Sequence, residues 1–303
     1  MEAEAIIVNK AQASSMFRKL LICTVAIFAL NATALCQVNG VDDTTANADI
    51  LSTLAKVRAL IADTKYDSAL GILEGYLQNN SEDNEAWYLK GFIYDQKENL
   101  ALASEYYHKS IALDSTYWGP WHELAYLFDI FAQYDSMNIY MRKALETSDN
   151  PGSIYYDYGY SFDMLDQADS ALIYYHKALD VDSLDDEAYL NIGAIWGLRD
   201  NLDSAKVYTS KALAINPSVP RACYNYAAIL GAEGNYQSAV DYYQKAMALD
   251  TTMIEVKLRL GELYEALGDS TMARIYFQEF VDSAPMIYTD DINRTKAKLE
   301  KYK

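Results

Sequence analysis

The stretch Asn84–Tyr117, NEAWYLKGFIYDQKENLALASEYYHKSIALDSTY, decides the fold. Trp87, Gly91 and Tyr94 stand at i, i+4 and i+7, and so do Ala103, Tyr107 and Ser110. Each trio marks one face of an α-helix. Between them Lys97, Glu98 and Asn99 interrupt the apolar pattern, so the stretch reads as two helices in a hairpin. Steps of 34 residues then meet the same chemistry again. Gly91 recurs as Ala125, Gly159, Gly193, Ala227 and Gly261. Ala103 recurs as Ala171, Ala205, Ala239 and Ala273, with Met137 the large exception. Ser110 recurs as Ala144, Ala178, Ala212 and Ala246, and Tyr107 as Met141, Tyr175, Tyr243 and Phe277. Turn pairs fall where the first helix of a unit should stop, at Asp200-Asn201, Gly234-Asn235 and Gly268-Asp269.

Close packing explains the columns: a small residue on the first helix lets the second approach, and the bulky residue fills the space beside it. A lone hairpin leaves one face uncovered, so such units must stack. The period and the Trp…Leu-Gly…Tyr…Ala…Phe…Pro order resemble the tetratricopeptide repeat family, strongly over residues 84 to 287. The resemblance implies an all-α, right-handed superhelical solenoid. It has about seven 34-residue helix-turn-helix units, starting at 50, 84, 118, 152, 186, 220 and 254. The unit at 50 departs from the pattern, with Val57 at the glycine position and Tyr76 at a small one. The closing proline stands only at Pro217 and Pro285. Phe280 fills a column that is otherwise small, so a different element must cover it. Residues 288–303 supply one, with Ile292, Lys296, Leu299 and Tyr302 at helical spacing, and read as a capping helix.

The chain has 303 residues and a formal charge of −18, with 13 glycines and 5 prolines. So acidic a surface repels phosphate, which argues against nucleic acid and anionic membranes as partners. Residues 16–36 combine Arg18 and Lys19, an uncharged run Leu20–Leu30 and the small-residue exit Asn31–Gln37, the layout of a secretory signal. The expectation is an exported protein, periplasmic, envelope-associated or secreted, without membrane insertion once the signal is cleaved. Met16 stands immediately before Phe-Arg-Lys, so residues 1–15 are expected to be an extension before the true start. Residues 37–49 read as a linker. Cleavage could follow Ala34 or Cys36, and cleavage after Cys36 would leave Cys223 as the one cysteine, without an intramolecular disulfide partner.

Catalytic signatures are missing. His108 and His176 share a second-helix column that elsewhere holds Arg142, Gln244 and Gln278, a solvated position. Cys223 sits in the column of Trp87, Trp121, Tyr155 and Tyr189, which makes it a core residue. No phosphate loop, zinc pair or nucleophile elbow is present. The expectation is a protein that is not an enzyme and uses no cofactor or metal. Asp-Ser pairs at 67, 135, 169, 182 and 203 resemble an O-glycosylation acceptor of exported Bacteroidetes proteins. Most of them also sit where a second helix begins and can cap backbone N–H groups.

In the family, ligands lie in the concave groove lined by first helices. Here those positions hold Tyr88, Phe92, His122, Tyr126, Tyr156 and Tyr160, interleaved with Asp95, Glu123, Asp129, Asp157 and Asp163. Two readings stay open: padding between helices, or an aromatic and acidic groove for a basic or aromatic protein segment. A co-chaperone clamp would need Lys, Asn, Asn, Lys and Arg where this chain has Tyr156, Tyr160, Asn191, Arg221 and Asn225; that pattern is mostly lost. The functional expectation is an interaction scaffold that binds a peptide or protein, with a structural spacer of an envelope complex as the alternative.

Overall fold

The computed structural model describes residues 44–149 and 151–302. The expected extension, the signal and the linker up to residue 43 lie outside the described residues. Fifteen α-helices and no strand occupy what is described. They pair as α1 (Thr44–Ala62) with α2 (Tyr66–Leu77), α3 (Asn84–Gln96) with α4 (Leu100–Leu113), and α5 (Trp118–Ile130) with α6 (Tyr134–Thr147). Next come α7 (Gly152–Met164) with α8 (Ala168–Val181), and α9 (Asp186–Leu198) with α10 (Leu202–Ile215). The series closes with α11 (Pro220–Ala232) and α12 (Tyr236–Leu249), α13 (Glu255–Ala266) and α14 (Ser270–Ser283), then α15 (Thr289–Leu299). The chain divides inside α8 into an N-terminal unit ending at Tyr174 and a C-terminal unit starting at Tyr175. α1 begins at Thr44, inside the stretch read as linker; Ala46 and Ala48 favour helix, and no glycine or proline interrupts after Gly40.

The hairpin turns show why the period holds. Thr64, Glu98, Ala132, Asp166, Asp200, Gly234 and Gly268 all have φ between 52° and 79°. They follow one another at the repeat spacing. At each, the next residue's N–H reaches back five positions, as in Asn99 to Tyr94 O (2.9 Å) and Asp269 to Tyr264 O (2.9 Å). The left-handed residue's own N–H reaches back three, as in Glu98 to Asp95 O (2.8 Å). This is the Schellman arrangement, which satisfies the last carbonyls of a helix. The residue that closes it also opens the second helix: Asn99, Asn201 and Asp269 accept from the backbone N–H of Leu102, Ser204 and Met272. The Asp-Ser pairs at 67, 135, 169 and 203 therefore lie one step inside the first turn, where the aspartate meets the positive helix end. They are not the N-caps that their position suggested. Only two of the seven left-handed positions are glycine, and any other residue is strained there. Ala132→Gly is expected to raise stability by about 1 kcal/mol, and Gly234→Ala to lower it by about as much. Urea midpoints of the two variants check both signs.

Within the hairpins, the small-residue column sets the approach of the helices. A Cβ at Gly91 would stand 2.7 Å from the Tyr107 ring, and one at Gly261 only 2.5 Å from the Phe277 ring. Both rings are fully buried. Ala125 is accommodated where the bulky partner is the flexible Met141. At the end of the array, Phe280 is fully buried in a cluster with Leu258, Ala273 and Phe277, which Tyr288, Ile292, Leu299 and Tyr302 cover. The capping face differs by one residue from the expectation. Thr295 is buried and Lys296 exposed, because α15 presents 292, 295 and 299 to the array. Lys298 Nζ and Tyr302 OH both reach the Glu265 carboxylate at 3.0 Å and fasten the cap.

Candidate functional site

Two adjacent columns of the first helices build the site. One holds Tyr88, His122 and Tyr156 in the N-terminal unit; the next position holds Leu89, Glu123 and Asp157. Tyr88 OH donates to Glu123 Oε1 at 3.3 Å, linking α3 to α5. His122 Nε2 donates to Asp157 Oδ2 at 2.8 Å, linking α5 to α7. The same oxygen accepts from Tyr126 OH at 2.7 Å. Tyr88 and His122 thus each reach 35 positions ahead, to the second column of the next repeat. His122 is 3% exposed, and Glu123 and Asp157 are 5% each.

Burying charge this deeply is costly unless it is paired. Glu123 is pushed up to about 7, mainly by burial, which His122 and the Tyr88 hydroxyl oppose and Asp95 and Asp157 reinforce. Burial alone would lower the His122 imidazole, but the Asp157 hydrogen bond and charge outweigh it and hold it above its ordinary value. Near neutrality the Glu123 carboxyl therefore hovers between protonation states. Trp118 and Tyr126 flank the imidazole edge-on, with centroids 5.7 and 4.8 Å away, and shield it from water.

The expected groove residues divide by burial. Tyr88, Tyr126, Asp129, Tyr160 and Asp163 are half-buried and keep an accessible edge. Phe92, only 2% exposed, is instead a core residue packed with Leu54, Val57, Leu124 and Leu127, which corrects its placement in a groove. Tyr156, His122 and Asp95 are also buried and cannot line an open surface. The reason is packing: α3 and α5 each pack on their own hairpin partner and on the second helix of the preceding repeat, so the buried arc is wide. Glu123 and Asp157 were legible only as acidic residues among the groove positions. Their common column, one repeat apart, is the signal that would have singled them out.

The tetratricopeptide repeat family matches residues 231–298. A family described as anaphase promoting complex subunit 8 / Cdc23 matches residues 7–150. The chain carries tetratricopeptide repeats. Among solved structures, Pseudomonas aeruginosa PilF is 21% identical, covering 73% of this chain and 99% of its own, with a TM-score of 0.63. A tetratricopeptide repeat protein from Parabacteroides merdae is 14% identical, covering 81% and 98%, with a TM-score of 0.58. YrrB, described as a tetratricopeptide repeat protein with an unusual peptide-binding site, is 21% identical, covering 61% and 95%, with a TM-score of 0.52. No curated protein matches the chain.

In the C-terminal unit the tetratricopeptide ladder changes character. Its second column continues as Asn191, Asn225 and Arg259. Asn191 and Asn225 are 6% and 4% exposed, so neither is free to face a groove, a further correction. Asn191 Nδ2 donates to Tyr175 OH at 3.3 Å, and its Oδ1 accepts from Arg221 at 3.2 Å. Arg221 also meets Glu187 at 3.4 Å. The cation that a co-chaperone clamp would offer to a ligand is thus engaged by the chain itself. The 35-residue reach recurs once more here, between Tyr224 and Arg259. His108 and His176 are exposed and Cys223 is fully buried, as their columns suggested.

Proposed function

We propose that this tetratricopeptide scaffold is a non-enzymatic binding protein of the cell envelope. It holds an extended or helical protein segment, rich in Lys or Arg and aromatic residues, against the first helices of its N-terminal unit. The observation that carries the proposal is the pairing of half-buried Tyr126 with Asp129, and of Tyr160 with Asp163, at the same positions of successive first helices. Tyrosine offers rigid apolar area and a π face for cations, while the carboxylates attract them. The peptide-binding site named for YrrB supports a segment as the ligand class. The signal-like residues 16–36 support the location.

Peptide display against the full chain, followed by calorimetry, tests this. Selected peptides are expected to carry Lys or Arg beside an aromatic anchor. Tyr160→Ala should weaken them by about 2 kcal/mol. Asp129→Lys with Asp163→Lys should slow association by about tenfold and flatten its salt dependence. Tyr126 is left intact, because its hydroxyl serves Asp157. Acidic selected peptides, or full affinity in both variants, would reject the groove and favour a structural spacer.

A further inference from the structure

We propose that burial of the His122–Asp157 and Tyr88–Glu123 pairs makes the packing of α3, α5 and α7 a pH-responsive seam, closed under acidic conditions and loosened as pH rises past neutrality. The inference does not depend on the ligand-binding reading. Two hydrogen bonds cross from one repeat to the next, a buried one of 2.8 Å and a partly buried one of 3.3 Å, with ionisable groups at both ends.

The surroundings decide the sign. α3 turns Asp95 and Tyr88 toward Glu123, and α7 turns Asp157 and Tyr156 toward α5. Tyr117, ahead of α5, and Tyr107 of α4 lie against Tyr88, and Tyr140 of α6 lies against Trp121. Arg58 of α1 acts on Tyr88 and Tyr117 and is paired with Glu85. With His122 cationic and Glu123 neutral, the buried seam holds one ion pair beside Asp95. With His122 neutral and Glu123 ionised, Asp95, Glu123 and Asp157 are three carboxylates without His122 as counter-ion.

Both groups bind their protons more tightly folded than unfolded. Glu123 contributes stability that is complete below about 4.5 and is lost as pH climbs through about 7. His122, also raised, contributes stability complete below about 6.5 and lost through its higher folded value. The two losses share one direction, toward higher pH.

Hydrogen exchange of the whole chain at about pH 5.5 and 8, corrected for intrinsic rates, is the test. Protection in α3, α5 and α7 should fall at the higher pH by about tenfold or more beyond any change in α13 and α14, the equivalent of one pKa unit. Glu123→Gln keeps an acceptor for Tyr88 and should remove most of that difference. If the variant fails to fold, the side-chain carboxyl ¹³C shift of Glu123 in the unaltered chain supplies the answer. A midpoint near 7 supports the seam, and a midpoint near 4.5 overturns it. Equal pH response in all helices, or an undiminished response in Glu123→Gln, also overturns it.

Discussion

Asp157→Leu is expected to destabilise the N-terminal unit by about 3–5 kcal/mol, because it strips one buried oxygen from two donors at once. His122 Nε2 and Tyr126 OH both end on Asp157 Oδ2, and neither can turn to water from a residue 3% exposed or from a hydroxyl held between helices. An orphaned buried donor bears its full desolvation cost, which exceeds the net worth of the bond that held it. The loss should be larger at acidic pH, where the imidazole is cationic and the substituted side chain would leave that charge uncompensated. Adding His122→Leu should recover a large part of the loss, since an apolar pair of similar volume is often as stable as a buried ion pair. Urea unfolding followed by circular dichroism gives all three values. A single-variant loss below about 1 kcal/mol would show that the seam is held by packing alone.

Gly261→Leu should cost about 3 kcal/mol in the C-terminal unit, even after a helix-propensity gain of about 1 kcal/mol. The new Cβ would lie 2.5, 2.6 and 3.0 Å from three atoms of the Phe277 ring. That ring cannot retreat: it is fully buried among Leu258, Ala273 and Phe280, with Tyr302 of the cap 6.4 Å away. α13 and α14 must separate instead. Gly261→Ala combined with Phe277→Leu should be milder than Gly261→Leu, because the smaller partner restores clearance. Gly71→Ala is the control, since nothing lies within 4 Å of its Cβ position, and it should be neutral to stabilising by up to about 1 kcal/mol. Thermal unfolding that ranks Gly71→Ala with Gly261→Leu would refute the close-approach account.

The repeat register was legible because its cause is local. Small residues at 91 and 261, bulky ones at 107 and 277, and turns at 200, 234 and 268 all express contacts inside one hairpin. What escaped the sequence lies between hairpins. Phe92 and Tyr160 occupy the same column, yet Phe92 is core and Tyr160 keeps an accessible edge, because the neighbouring helices differ. Glu123 and Asp157 look like solvated charges until their partners at 88 and 122 are seen. Lys296 and Thr295 exchanged roles for a similar reason: helical spacing alone leaves the face of a cap uncertain by one residue, and the array decides it.

The hydrogen bonds that step 35 positions also determine which repeats the chain can lose by recombination. Excising residues 118–151 would bring Tyr88 opposite Asp157, so a tyrosine hydroxyl would again meet a carboxylate and the junction would heal. Excising residues 84–117 would set the buried Leu54 opposite Glu123, a carboxylate without a donor. The repeats are interchangeable in length but not in order, and their polar edges act as a grammar for which neighbour may follow which.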